Sequence, residues 1–239
     1  MNSVLLTRDK EQNHELLDFL QKKGYKIYEI PFVKYLPDKE KIEYLKKTIE
    51  QFEIVITSNY AACLIARNLK GFNLTIHTVG SNSSNILQNA GFKIKTTHKN
   101  ARSLNDFLIN YKSKNNNTTK DLLYLRGNNI TQNLPNISKE ELIYKSFYIR
   151  NLSNYFEKLI FEEKIEILTF FSVKTAEAFI ESIHNLNKKT DCIIDKVLYK
   201  KIFCFSKKIA KIFEAQNFKT IYVSEEPDFE CFKKLFNLN

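Results

Sequence analysis

Apolar residues in this chain fall into short runs separated by amphipathic stretches. Val4-Leu5-Leu6 is a short apolar strand, and Asp9 follows as the N-cap of a helix, with Gln12 three residues on. Leu16, Leu17 and Leu20 share one face of that helix, Lys22 and Lys23 complement its C-terminal dipole, and Gly24 suits the left-handed position past its end. The next strand is Lys26 to Phe32. Strand, helix and strand joined by short turns predict an α/β fold with largely parallel sheets flanked by helices.

Two distant segments repeat one order of elements, as a diverged duplication would. Ile54-Val55-Ile56-Thr57-Ser58-Asn59 is a buried strand breaking into a polar turn and a helix, and so is Ile167-Leu168-Thr169-Phe170-Phe171-Ser172. Downstream, Gly80 to Gly91 and Ser206 to Asn217 bracket helices at the same offset. Asn217 fits its slot because Asn is the usual substitute for Gly at a left-handed cap. Each copy closes with a short strand and a helix, Ser103 to Tyr111 in one and Asp228 to Phe236 in the other. Between them, Lys112 to Lys120 reads as a solvated loop, followed by strands at Leu122–Leu125 and Leu142–Arg150. The N-terminal strand and helix belong most economically with the C-terminal copy, which leaves the middle of the chain as an inserted second domain.

Charge adds a partner class. The chain has 239 residues, 37 Lys plus Arg against 27 Asp plus Glu, and a net charge of +10, which calls for an anionic partner. Most of the excess is Lys, which lacks the planar fork used for base readout, and the lysines spread along amphipathic helices; nucleic acid is therefore not expected. No apolar run reaches the length of a signal peptide or a membrane span, so the protein is expected to be cytoplasmic, without membrane contact. Cys63, Cys192, Cys204 and Cys231 form no CxxC pair, and the four histidines form no HxxxH or HExxH spacing. Neither a metal site nor a redox dithiol is indicated, and reduced, mostly buried thiols are expected.

Polar residues recur where buried strands end, at Thr57-Ser58-Asn59, Gly80-Ser81-Asn82-Ser83, Arg126-Gly127-Asn128, Thr169 with Ser172, and Ser206. That edge of an open α/β sheet is where ligands bind, and helix N-termini there offer unpaired N–H groups to carboxylates or phosphates. Taken singly, Ser58, Ser83, Ser172 and Ser206 read as helix caps before they read as catalysts. Tyr148 equally suits a core or interface aromatic, and Arg8 a surface cation. No Ser-His-Asp set, Walker loop or GxGxxG fingerprint is present, so the residues by themselves lead to anion binding and no further.

In order and spacing these motifs resemble the uroporphyrinogen-III synthase family. The resemblance spans nearly the whole chain and rests on Val4-Leu5-Leu6-Thr7-Arg8, Gly24 with the strand reaching Pro31, and Ile56-Thr57-Ser58-Asn59 with Ala61. It continues through Val79-Gly80 before a helix ending at Gly91-Phe92, Leu123-Tyr124-Leu125-Arg126-Gly127-Asn128, Tyr148, Thr169-Phe170-Phe171-Ser172, and Pro227.

The resemblance implies two similar domains, 1–33 plus 157–239 and the inserted 38–148, joined by extended linkers at 32–38 and 148–157, with the ligand in a cleft between them. It implies a monomer, working without metal or organic cofactor, that closes the linear tetrapyrrole hydroxymethylbilane into the type III macrocycle. Tyr148 is implied as the proton donor that assists loss of the hydroxyl. Arg8, Thr57, Ser58, Gly80, Ser83, Gly127, Asn128 and Ser172 are implied to bind substrate, mainly through backbone N–H groups. Relatives carry a Gly-containing turn with a Thr where this chain has Ser206-Lys207-Lys208-Ile209, so Ser206, Lys207 and Lys208 complete the set, the lysines replacing hydroxyl contacts with charge. A non-catalytic two-domain protein that holds a small anion is the alternative.

Overall fold

The computed structural model describes residues 2–114, 120–130, 132–134, 136–162, 164–188 and 192–237. Its contacts divide the chain into two units, Met1–Lys34 with Phe147–Asn239, and Tyr35–Ser146.

The chain begins with β1 (Ser3–Leu6), α1 (His14–Lys22) and β2 (Lys26–Glu29). Next come β3 (Val33–Pro37), α2 (Lys39–Leu45), β4 (Phe52–Ile56), α3 (Asn59–Asn68), β5 (Thr75–Val79), α4 (Ser81–Asn89), β6 (Lys93–His98) and α5 (Ala101–Lys114). Strands β7 (Asp121–Gly127) and β8 (Lys139–Tyr148) follow, then α6 (Asn154–Phe161), β9 (Ile167–Phe170), α7 (Val173–Asn187) and α8 (Ile193–Leu198). The chain closes with β10 (Lys201–Cys204), α9 (Lys207–Glu214), β11 (Thr220–Val223) and α10 (Phe229–Lys234).

One sheet has the order β11-β10-β9-β1-β2 and the other β3-β8-β7-β4-β5-β6. Both are built on parallel pairs. In the first unit, β2-β1-β9-β10-β11 is a 2-1-3-4-5 doubly wound order. In the second, β8-β7-β4-β5-β6 has the same spatial plan with its first two strands supplied from the end of the segment, a circular permutation of the same pattern. The left-handed caps match as well: Gly91 has φ +90° and Asn217 φ +61°.

Strands covered on both faces are mostly apolar, and β1, β9 and most of β4 are buried at every position, with Ser3, Glu53 and Thr169 the polar exceptions. Val4 and Leu6 pack with Leu16, Leu20 and Phe232, so α1 and α10 cover one face of the first sheet. Leu5 points the other way, toward Phe156, Phe179, Ile193 and Phe213 of α6, α7, α8 and α9. In the second unit Ile54, Ile56 and Ile76 meet Ile42, Tyr60, Leu64 and Leu87, while α5 covers the opposite face with Leu104 and Leu108 against Val55 and Tyr124.

Several local expectations are corrected. Asp9 does not cap α1: its carbonyl accepts the Gln12 N–H at 3.0 Å in a 3-10 turn, Lys10–Gln12, and the helix starts later. Asn13 then holds the N-cap position, but its amide donates to Glu29 at 2.9 Å rather than capping. Segment 32–38 is extended, as expected of it, but as strand β3, whose pairing with β8 is bracketed by Ile149 N–H to Phe32 C=O and Asp38 N–H to Ile143 C=O, both 2.9 Å, an antiparallel register. Pro37 is tolerated because β3 is an edge strand. Segment 148–157 turns helical from Asn154, where Ser153 accepts the Phe156 N–H and Phe156, Leu159 and Ile160 supply a buried face. The expected loop at Lys112 to Lys120 begins helical, since α5 runs to Lys114; 115–119 lie outside the described residues. Finally, Cys204 is buried and burial pushes its thiol up, but Cys63 and Cys231 are half-buried and Cys192 is exposed, so the expectation of mostly buried thiols is incorrect.

Candidate functional site

In a doubly wound sheet the ligand crevice lies beyond the carboxyl ends of the two strands where chain direction reverses. That point falls between β1 and β9 in the first unit and between β7 and β4 in the second.

In the first unit the two strand ends are tied by hydroxyls. Thr7 Oγ1 donates to Thr169 C=O at 2.5 Å, and Thr169 Oγ1 donates back to Leu5 C=O at 3.0 Å. Directly after this tie, Arg8 is only 8% exposed, which corrects its reading as a surface cation. Its guanidinium lies 4.7 Å from the Phe171 ring centroid and 5.1 Å from that of Phe229, and Nη2 donates to Gln12 at 2.7 Å. Aromatic faces attract a weakly hydrated guanidinium, which explains how the charge is kept inside. Ser172 caps α7 by accepting the Thr175 N–H at 3.1 Å, and shares a 2.7 Å bond with Thr175 Oγ1. Tyr148, half-buried at the end of β8, lies within electrostatic reach of Lys174 in the first turn of α7. Ser206 holds the N-cap position of α9 without a side-chain cap bond, and Lys207 and Lys208 are exposed in the first turn. Cations at the positive end of a helix oppose its dipole, so this pair weakens α9 while adding to its attraction for an anion.

In the second unit Thr57 Oγ1 and Tyr124 OH share a 2.7 Å bond, and Ser58 caps α3 through the Ala61 N–H at 3.1 Å. Ser58 Oγ also meets Tyr144 OH at 2.9 Å. Gly80 starts α4 with φ +82°, a conformation that L side chains rarely adopt, and its N–H donates to His98 C=O at 2.8 Å. Ser83 is not a cap. It lies inside α4, buried, and donates to Asn59 Oδ1 at 2.6 Å, joining the first turns of α4 and α3. Asn128 turns its amide onto Ser146 of β8. The structure thus groups Thr57 with Tyr124, and Ser58 and Gly127 with Tyr144; Ser83 is tied to Asn59, and Asn128 to Ser146. It groups Arg8 with Ser172 through Phe171, and Tyr148 with Lys174.

A family model described as Uroporphyrinogen-III synthase HemD matches residues 14–232. The chain belongs to the uroporphyrinogen-III synthase family. It is 30% identical over 156 residues to a Rickettsia prowazekii (strain Madrid E) protein named Uncharacterized protein RP474, an alignment covering 64% of this chain and 52% of that protein. The chain therefore spans about half the length of that curated relative. In fold it is similar to the crystal structure of a mutant uroporphyrinogen III synthase from the extremely thermophilic bacterium Thermus thermophilus, with TM-score 0.52 and 13% identity over 100% of this chain and 98% of that one.

For a uroporphyrinogen-III synthase family member, most of the expected ligand-facing hydroxyls and amides are committed inside their own unit. Those of Thr57, Ser58, Ser83, Asn128 and Ser172 each bond a partner within their own unit. Sequence reasoning misses Tyr144 and the hydroxyl cluster behind Gly80, where Ser84 Oγ lies 2.5 Å from Thr78 Oγ1 and 2.7 Å from Thr97 Oγ1. The Ser83-Ser84 pair after Gly80 is the available signal. Among the described residues no group of three or more His, Cys, Asp and Glu is placed to hold a metal ion, and no helix is long and apolar enough to cross a membrane.

Gly127 shows how tightly the turn is built. A Cβ there would stand 2.4 Å from Tyr144 Cε2 and Cζ and 2.7 Å from its hydroxyl. Tyr144 has little room to yield, since its ring packs edge-on against Tyr35 and Tyr60. Gly127→Ala is expected to cost about 1–3 kcal/mol of stability through overpacking. It should also release the Ser58 bond, so a denaturation midpoint equal to wild type would contradict the geometry.

Proposed function

We propose that this protein is a uroporphyrinogen-III synthase, converting hydroxymethylbilane to uroporphyrinogen III with inversion of the last pyrrole ring and loss of water. The observation that carries the reading is the family match over 14–232, a span that takes in every candidate site residue except Arg8. In this reading the hydroxyl of the terminal ring departs as water, giving an azafulvene. The substituted carbon of the last ring attacks it to form a spiro intermediate, and fragmentation and rejoining invert that ring. No metal or organic cofactor takes part, and the protein acts as a cytoplasmic monomer with neither nucleic acid nor membrane as partner.

The geometry supports roles for these groups. Acetate and propionate side chains of the substrate suit the N–H groups at the starts of α3, α4, α7 and α9, which need no side-chain hydroxyl. Holding the chain folded favours ring inversion over direct closure. Tyr148 gives its proton to the departing hydroxyl.

Lys207 and Lys208 draw substrate to α9. The Lys207→Ala, Lys208→Ala double variant is expected to raise KM roughly three- to tenfold, more at low salt, with kcat kept, as exposed charge pairs do. An unchanged KM at low ionic strength would remove the lysines from the site. The function itself is tested by incubating hydroxymethylbilane with the protein and resolving the product isomers chromatographically. Uroporphyrinogen III is expected, and the type I isomer alone would sink the reading in favour of a non-catalytic anion binder.

A further inference from the structure

A sheet edge invites another strand unless charge, proline or a bulge blunts it. Three of the four sheet edges are blunted: β2 carries Lys26 and Glu29, β3 carries Lys34 and Pro37, and β6 carries Lys93, Lys95 and His98. The fourth, β11, is Thr220-Ile221-Tyr222-Val223, half-buried along its length and without a charge or a proline. It lies wholly in the first unit. Each strand residue turns its N–H and C=O to one side, and the sides alternate along the chain. Ser224 N–H donates to Cys204 C=O of β10 at 2.9 Å. Thr220 and Tyr222 therefore face β10 as well, and Ile221 and Val223 present their main-chain groups to the open edge.

The sequence at this edge is complementary to itself read backwards. Two copies of Lys219-Thr220-Ile221-Tyr222-Val223-Ser224-Glu225 set antiparallel, with Tyr222 at the two-fold axis, place Lys219 against Glu225 of the second copy, Thr220 against Ser224 and Ile221 against Val223. In that register the outward residues oppose one another, so Ile221 exchanges both main-chain bonds with Val223 of the second copy, and Val223 with Ile221. A shift by one residue would oppose outward groups to inward ones, and a shift by two would part the charges. We propose that β11 is a self-association edge on which a second copy of this chain pairs antiparallel, joining two first-unit sheets into one. The proposal goes beyond the reaction above and leaves the monomer as the catalytic unit, since the crevice between β1 and β9 lies inside the sheet, away from this edge.

Sedimentation of the full chain at low salt is expected to show a reversible dimer with a dissociation constant of about 10–100 µM, weak because so short an edge buries little area. Lys219→Glu sets like charges at both ends of the pairing, and so does Glu225→Lys. Both residues are exposed, so each variant should fold and dimerise about tenfold more weakly than wild type. Mixed in equal amounts, the two variants again bring opposite charges together at both ends, and a mixed dimer about as tight as wild type is expected. Amide exchange at Ile221 and Val223 should slow as concentration rises, while that at Tyr222, already in the ladder with β10, should not. A chain that stays monomeric at about 1 mM would overturn the proposal. So would a dimer indifferent to either charge variant, or a mixture no tighter than its components. None of these readouts depends on the proposed reaction.

Discussion

Replacing Tyr148 by Phe is expected to lower turnover by about 10²- to 10⁴-fold, the range for loss of a positioned general acid. In the proposed reaction hydroxide is a poor leaving group, so the hydroxyl of the bilane would have to receive a proton as its bond breaks. A phenol can donate it and remain as phenolate for the rest of the cycle. Lys174, whose charge lies within electrostatic reach of Tyr148, is itself anchored by Glu177 at 2.8 Å. Tyr148 is only half-buried at the end of its strand, and among the described residues none is held in place by its hydroxyl. Stability should therefore stay within about 0.5 kcal/mol of wild type, as for substitutions away from the core. Steady-state turnover and a urea midpoint measured on the same preparation check both halves. Wild-type turnover in Tyr148→Phe would refute the acid role; a large stability loss would reassign the hydroxyl to structure.

Much of this architecture is legible in the sequence because parallel strands covered on both faces are near-continuous apolar runs, and Val4–Leu6, Ile54–Ile56 and, but for Thr169, Ile167–Phe170 are such runs. Asn217 is legible for a steric reason, since few residues other than Gly tolerate positive φ. The short helices are not. Helix α2 reads Lys-Glu-Lys-Ile-Glu-Tyr-Leu, and only Ile42 and Leu45 are buried, so tertiary contact and the Asp38 cap decide it more than local pattern. The site is legible in place but less so in role. Strand ends tell where polar turns gather, yet whether a hydroxyl faces ligand or holds a turn depends on a partner far along the chain. Thr57 meets Tyr124, Ser58 meets Tyr144 and Arg8 meets Phe171, and spacing along the chain encodes none of these. Gly127 enters as a ligand-lining residue, and the structure adds a steric reason for Gly there: the Tyr144 ring occupies the space of its Cβ.

Away from the carboxyl edge, the second unit buries a charged cluster beneath α5, and breaking it is expected to carry the largest stability cost. Glu53, 6% exposed, accepts from His77 Nε2 at 3.0 Å, Lys95 Nζ at 2.8 Å and Tyr111 OH at 2.9 Å. A carboxylate can only accept, so His77 carries its proton on Nε2, and Nδ1 is left to accept from Thr96 Oγ1 at 2.8 Å. Burial alone would raise the Glu53 carboxyl, but the bonds from His77, Lys95 and Tyr111 outweigh it and hold the group below its ordinary value. For His77 burial wins over the attraction of Glu53, and the imidazole is pushed below its ordinary 6.5. Glu53→Ala strands a fully buried imidazole N–H, whereas Lys95 and Tyr111 can still reach water; the expected loss is about 2–4 kcal/mol. The pH dependence has a definite sign. As pH falls through 6.5 the unfolded chain binds a proton at His77 before the folded protein does, so stability drops; Glu53 adds a loss of the same sign as pH falls through 4.5. Wild type should therefore be less stable at pH 5.5 than at pH 7, by chemical denaturation, and His77→Gln should flatten that difference. An undiminished pH slope in His77→Gln, or a Glu53→Ala midpoint matching wild type, would show that the cluster does not hold α5 on its sheet.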